Sequence, residues 1–185
     1  MLFYGLINSM KMRSARENNK LKGGLRKIKT GPRHDIYLVM DNIRSMYNVG
    51  AMFRTCDGVR VKKILLCGMT ATPPREKIYK TSLGAVEYVD WQYYKSAKDA
   101  ILELKKQGVR IVCLEQTDKS INYKKEKYKA PIAIVVGHEL NGVSKDVLAL
   151  CDQCVEIPMY GLANSLNVAT SAGIILYEAL GQIRN

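Results

Sequence analysis

Apolar residues in this chain fall into short runs separated by stretches with helical spacing. Residues 36–40, 63–67, 110–114 and 132–136 have the length and β-branched content of buried strands. Residues 86–91 and 155–157 read as two further strands, the last stopped by Pro158, which cannot donate to a ladder. Between the strands the period changes. Residues 48–59 place Val49, Met52, Phe53 and Cys56 on one side of a helix, and Pro73-Pro74 open a short helix to about Ser82. Ser96 caps a helix whose apolar face is Ala97, Ala100, Ile101 and Leu104, ended by Gly108. Ser144 caps another to about Cys151. The last helix, capped by Asn164 or Ser165, shows Leu166, Thr170, Gly173, Tyr177 and Leu180 on one face and is expected to end at Gly181. This alternation predicts an α/β fold with a mostly parallel sheet flanked by helices.

In such sheets ligands bind beyond the carboxyl ends of the strands. Polar loops follow the predicted strands there: Asp41-Asn42, Glu115-Gln116, Gly137-His138-Glu139 and Tyr160-Gly161. They are expected to meet at one edge. The run Ala169-Thr170-Ser171-Ala172-Gly173 is thin enough for its helix to lie close to another backbone.

Charge alters the picture at the N-terminus. Residues 1–34 hold Lys11, Arg13, Arg16, Lys20, Lys22, Arg26, Lys27, Lys29 and Arg33 against Glu17, net +8 of the chain's +12. The reading is a basic arm (1–34) before one domain (35–185), the cations from Arg13 onward being candidate RNA phosphate contacts. Five scattered cysteines point to a reducing cytoplasm. Cys151-x-x-Cys154 lacks the second pair, or suitably spaced histidines, that a zinc site needs, so no metal is expected. No apolar run is long enough to span a membrane. A G-x-G-x-x-G fingerprint is absent, which argues against a dinucleotide oxidoreductase.

Three stretches in order carry a resemblance. The first is Asn48-Val49-Gly50-Ala51-Met52-Phe53-Arg54-Thr55-Cys56-Asp57-Gly58. The second is the apolar run 132–136 followed by Gly137-His138-Glu139-Leu140-Asn141-Gly142. The third is Ile157-Pro158-Met159, then Gly161, then Ser165-Leu166-Asn167-Val168-Ala169. Together they resemble the motifs of the SpoU (TrmH-type) branch of the SPOUT RNA methyltransferases, over about residues 36–182.

The resemblance implies a C-terminal deep trefoil knot, a homodimer and S-adenosylmethionine bound largely by main chain at Leu114, Gly137, Ile157, Met159 and Leu166. It implies methyl transfer to a ribose 2′-hydroxyl of tRNA or rRNA, with Asn48, Arg54, Glu139, Ser165 and Asn167 as the catalytic set. Arg54 is expected to act electrostatically, since a guanidinium stays protonated. Glu139 and Asn167 either accept a proton or orient neighbours. A non-catalytic RNA-binding relative and a base-nitrogen methyltransferase are the alternatives.

Overall fold

A computed structural model describes residues 12–24 and 31–184. The chain forms two compact units, residues 1–32 and 33–185. In the first, α1 (Ala15–Leu21) opens with a capping box: the Ser14 hydroxyl accepts from the Glu17 backbone N–H, while the Glu17 carboxylate accepts from the Ser14 N–H and hydroxyl. Arg13, Arg16, Lys20 and Lys22 are exposed there. The expected phosphate contacts Arg26, Lys27 and Lys29 lie outside the described residues.

Arg33 departs from the expected arm. Its guanidinium donates to the carbonyls of Val61 (3.1 Å) and Tyr88 and lies 3.8 Å from the Asp57 carboxylate. It is therefore engaged with the second unit, and the basic segment closes at residue 32.

The second unit is a seven-stranded sheet, every pair parallel, in the order β3-β2-β1-β6-β4-β7-β5. The strands are β1 (His34–Asp41), β2 (Val61–Cys67), β3 (Trp91–Tyr94), β4 (Arg110–Leu114), β5 (Ile121–Asn122), β6 (Ile132–Val136) and β7 (Gln153–Glu156). The central pair β1 and β6 is buried on both faces, which is why those segments read as unbroken apolar runs. Alternate residues serve opposite cores. Ile36, Leu38, Met40, Ile132 and Ile134 pack with α2 (Met46–Val59), α3 (Glu76–Ser82) and α6 (Val168–Arg184). Tyr37, Val39, Ala133 and Val135 pack with α4 (Ala97–Lys106) and α5 (Lys145–Leu148).

Several element ends differ from the sequence reading. β3 begins at Trp91 because Leu83 and Gly84 adopt left-handed conformations and start a single 3-10 turn over Ala85–Glu87. Val86 and Val89, three apart, pack on the core from that turn instead of joining the sheet. α2 begins at Met46, capped by Ser45, so Asn48 sits within its first turn. α3 starts at Glu76, beyond the two prolines. α6 begins only at Val168, because Asn167 supplies the cap: its Oδ1 accepts from the N–H groups of Ala169 (2.9 Å) and Thr170 (3.3 Å). Asn164 and Ser165 belong to the exposed loop before the helix, and Gly181 lies inside the helix.

Close backbone approach falls at Gly50, where Gly50-Ala51 in the first motif permits it, and not along the small-residue run 169–173. A Cβ on Gly50 would lie 2.3 Å from the Ile78 carbonyl oxygen, so α2 and α3 touch through that residue. At Gly173 a Cβ would meet only the Thr55 methyl, at 3.9 Å, an ordinary contact. Ala172 is the buried member of the small-residue run, and Thr170 is exposed.

Candidate active site

The loops after β4, β6 and β7 enclose a cleft of about 310 Å3. All five residues expected at a cofactor site line it: Leu114, Gly137, Ile157, Met159 and Leu166. Ser165, Glu139 and Asn167 line it as well. Gly137 is required by packing, since a Cβ there would lie 2.3 Å from backbone atoms of Gly142 and Val143. Gly142, at φ +68°, leaves room for the Glu115 carboxylate, which accepts from the Val143 N–H at 2.9 Å. Gln116 Nε2 donates to the Asn164 carbonyl at 2.8 Å and ties the β4 loop to the segment before α6.

One hydrogen-bonded chain joins the three motif stretches. The Glu139 carboxylate accepts from the backbone N–H groups of Arg44 (2.9 Å) and Ser45 (3.0 Å) and from Asn48 Nδ2 (2.8 Å). Asn48 Oδ1 accepts from Asn167 Nδ2 at 3.1 Å, and Asn167 in turn caps α6. An anion at the start of α2 also meets the positive end of that helix. Burial alone raises the Glu139 pKa, but the hydrogen bonds from Arg44, Ser45 and Asn48 outweigh it and hold the carboxyl below its ordinary value. A carboxylate so engaged is a weak base and a firm anchor.

Arg54 does not join this chain. It is exposed on α2, six residues beyond Asn48, does not line the cleft and makes no hydrogen bond or ion pair among the described residues. His138, for which the sequence supplied no role, shapes the turn: its Nδ1 accepts from the N–H groups of Leu140 and Asn141 at 3.0 and 3.3 Å.

Sequence reasoning brought Asp41 and Glu115 to the ligand edge without giving them a role, and passed over Glu156. Glu115 and Glu156 bring carboxylates to the cleft wall beside Glu139. Asp41, only 2 % exposed, accepts from both the N–H and the hydroxyl of Ser144 (2.9 and 2.7 Å) and so braces the Glu139 loop from behind. The available signal was their position at the carboxyl ends of strands, Asp41 and Glu156 closing β1 and β7 and Glu115 following β4. Among the described residues no group of His, Cys, Asp and Glu could hold a metal ion.

The fold and cleft define a parallel α/β domain that takes a small ligand at the carboxyl ends of three strands, beside a polar relay. Residues 35–177 match the SpoU rRNA Methylase family, and the chain belongs to it. It is 35% identical over 159 residues to the tRNA (guanosine(18)-2′-O)-methyltransferase of Aquifex aeolicus, covering 85% of this chain and 74% of that enzyme. It is 31% identical over 154 residues to the enzyme of that name from Escherichia coli K12, covering 82% of this chain and 65% of that enzyme. Among solved structures, the A. aeolicus TrmH/SpoU tRNA modifying enzyme superposes with a TM-score of 0.77 at 33% identity, covering 89% of this chain and 83% of that one. The SpoU methyltransferase AviRb from Streptomyces viridochromogenes, solved in complex with the cofactor AdoMet, superposes with a TM-score of 0.74 at 26% identity, covering 85% and 64%.

Proposed function

We propose that this protein is an S-adenosylmethionine-dependent RNA methyltransferase that modifies a ribose 2′-hydroxyl, with tRNA as its substrate. The observation that carries the reading is the Glu139–Asn48–Asn167 relay standing at the mouth of a cofactor-sized cleft in a SpoU-family chain. The cleft suits that cofactor. It offers apolar walls from Leu114, Ile157 and Leu166, backbone at Gly137, and the carboxylates of Glu115, Glu139 and Glu156, which favour a cationic ligand.

S-adenosylmethionine supplies a methyl group on a sulfonium, already a strong electrophile. The protein's task is to hold and activate the weak partner, the 2′-hydroxyl. Glu139 fixes the first turn of α2 and orients Asn48; Asn48 orients Asn167. Ser165 and Asn167 present polar atoms at the cleft. Arg54, exposed and unpaired among the described residues, meets the ribose oxygen or its phosphate once RNA or a second protomer arrives, and lowers the hydroxyl pKa electrostatically. Orientation is the better role for Glu139, because its pKa is held low.

The finer points of the reading are as follows. The C-terminal segment is threaded as the family's trefoil knot, which the Gln116–Asn164 tie between two cleft loops supports. The protein is a homodimer, supported by the wholly exposed Tyr160 and Leu162 beside the cleft loop. Exposed Arg13, Arg16, Lys20 and Lys22 contact RNA phosphates together with the rest of the basic segment. The five free cysteines suit a reducing cytoplasm, and no helix among the described residues is long and apolar enough to cross a membrane.

The test is nucleoside mass spectrometry of tRNA after incubation with the protein and isotopically labelled S-adenosylmethionine. A labelled 2′-O-methylnucleoside is expected. Label on a base, or cofactor binding without transfer, overturns the reading.

A further inference from the structure

A second groove, of about 420 Å3, lies along the first turn of α2 and the start of α3. Glu139 and Leu140 line both this groove and the cofactor cleft, so a molecule in either hollow touches the same loop. The remaining wall includes Arg44, Tyr47 and Lys77. We propose that this groove seats the acceptor nucleotide, with its base stacked on the Tyr47 ring and its phosphates held by Arg44 and Lys77. The proposal deepens, and rests on, the reading of the protein as an RNA methyltransferase.

The chemistry of the wall selects the ligand. Tyr47 is 46 % exposed and Leu140 79 %, an apolar surface unusual beside two exposed cations. Nucleotides pair a flat apolar face with an anion, and unpaired bases in RNA are recognised by stacking on aromatic rings. Lys77 Nζ already stands 6.0 Å from the Tyr47 ring centroid. The two cations also disfavour the cofactor in this groove, since they would repel its sulfonium and ammonium.

The platform is held rigid. The Tyr47 carbonyl accepts from Thr81 Oγ1 at 3.0 Å, and Gly50 lets α2 lie directly on α3. The Glu139 carboxylate binds the backbone of Arg44 and Ser45 on the groove side and Asn48 on the relay side. A nucleotide seated on Tyr47 is therefore positioned by the same carboxylate that orders the cleft. The fit to the reaction is direct: the two reactants occupy neighbouring hollows that share one wall.

The experiment measures tRNA affinity by fluorescence anisotropy, S-adenosylmethionine affinity by calorimetry, and steady-state transfer, for wild type, Tyr47→Ala, Tyr47→Phe and Lys77→Glu. Tyr47→Ala is expected to lower kcat/KM for tRNA about 10- to 100-fold, from the loss of one stacked base. Tyr47→Phe keeps the ring and is expected to stay within about twofold of wild type. Lys77→Glu, a surface change that does not threaten folding, is expected to weaken tRNA binding and flatten its log–log salt dependence by roughly 0.7 to 0.9. Cofactor affinity should be unchanged in all three.

Wild-type tRNA affinity and turnover in both Tyr47→Ala and Lys77→Glu would overturn the groove while leaving the methyltransferase reading intact. A wild-type protein that binds tRNA through Tyr47 but transfers no methyl would overturn that reading and keep the groove as a nucleotide site. A wild-type protein with neither activity overturns both.

Discussion

Replacing Glu139 separates the two roles open to it, proton acceptor or anchor. Glu139→Ala removes three hydrogen bonds of 2.8 to 3.0 Å at once. Bonds to charged groups contribute about 1.5–3 kcal/mol each when buried. Here the group is only half-buried and water can replace part of each bond, so roughly 2–3 kcal/mol in total is the reasonable loss. For a domain of this size that lowers the melting temperature by about 4–12 °C. Glu139→Gln is milder. Its one oxygen, placed toward Ser45 and Asn48, keeps two of the three bonds, and the amide nitrogen then faces the Arg44 N–H, which lies on an exposed residue that water can reach. The expected loss is about 1 kcal/mol, or about 2–4 °C.

The activities then discriminate. An anchor predicts that Glu139→Gln keeps a substantial part of kcat because Asn48 stays oriented, while Glu139→Ala loses most of it. A base predicts that both variants are equally inactive. Acid stability gives an independent check. The folded carboxyl is held below its ordinary value of 4.5, so its stabilising contribution is complete above that pH and is lost as pH falls through the depressed value. The stability gap between wild type and Glu139→Gln should be constant from pH 6 to 8 and should shrink only below about 4.5. Calorimetric melting and single-turnover transfer to tRNA measure both effects. Full inactivation of Glu139→Gln with an unchanged melting temperature would refute the anchoring role.

Arg54→Ala should abolish methyl transfer and leave cofactor affinity within about twofold, since Arg54 does not line the cleft; a tenfold or greater loss in calorimetry, about 1.4 kcal/mol, would contradict this. Removing residues 1–32 should spare folding and cofactor binding while flattening the salt dependence of tRNA binding by about 3 to 4 log units per log unit of salt, if half its cations touch phosphate; superimposable salt slopes would make the segment a spacer. Cys154 should be the first thiol alkylated by iodoacetamide. Its hydrogen bond from Cys113 and a weaker one with Thr117 lower its pKa to about 7 against burial and the Glu115 charge, so labelling should rise with pH and level off above about 8. A labelling rate still climbing at pH 9 would show an ordinary thiol.

What the sequence made legible follows from which interactions are local. β1, β4 and β6 were readable to within a residue or two because burial on both faces leaves an unbroken apolar run, a signal carried by each segment alone. The third strand was misplaced because Val86 and Val89 are as apolar as strand residues, and only the left-handed Leu83 and Gly84 show that they fold inward from a turn. The start of α6 was misjudged by two or three residues because Asn164, Ser165 and Asn167 are all competent caps. What selects Asn167 is not local. Its Nδ2 bonds Asn48, 119 residues earlier, and Glu139, on a third segment, holds the Asn48 amide in the orientation that accepts it. The same dependence explains Arg54. Motif order placed it with the catalytic set, yet nothing binds it among the described residues, whereas Asn48, in the first turn of the same helix, is fully engaged. An exposed guanidinium with no partner among the described residues is free to meet RNA, and the Arg54→Ala variant tests whether it does.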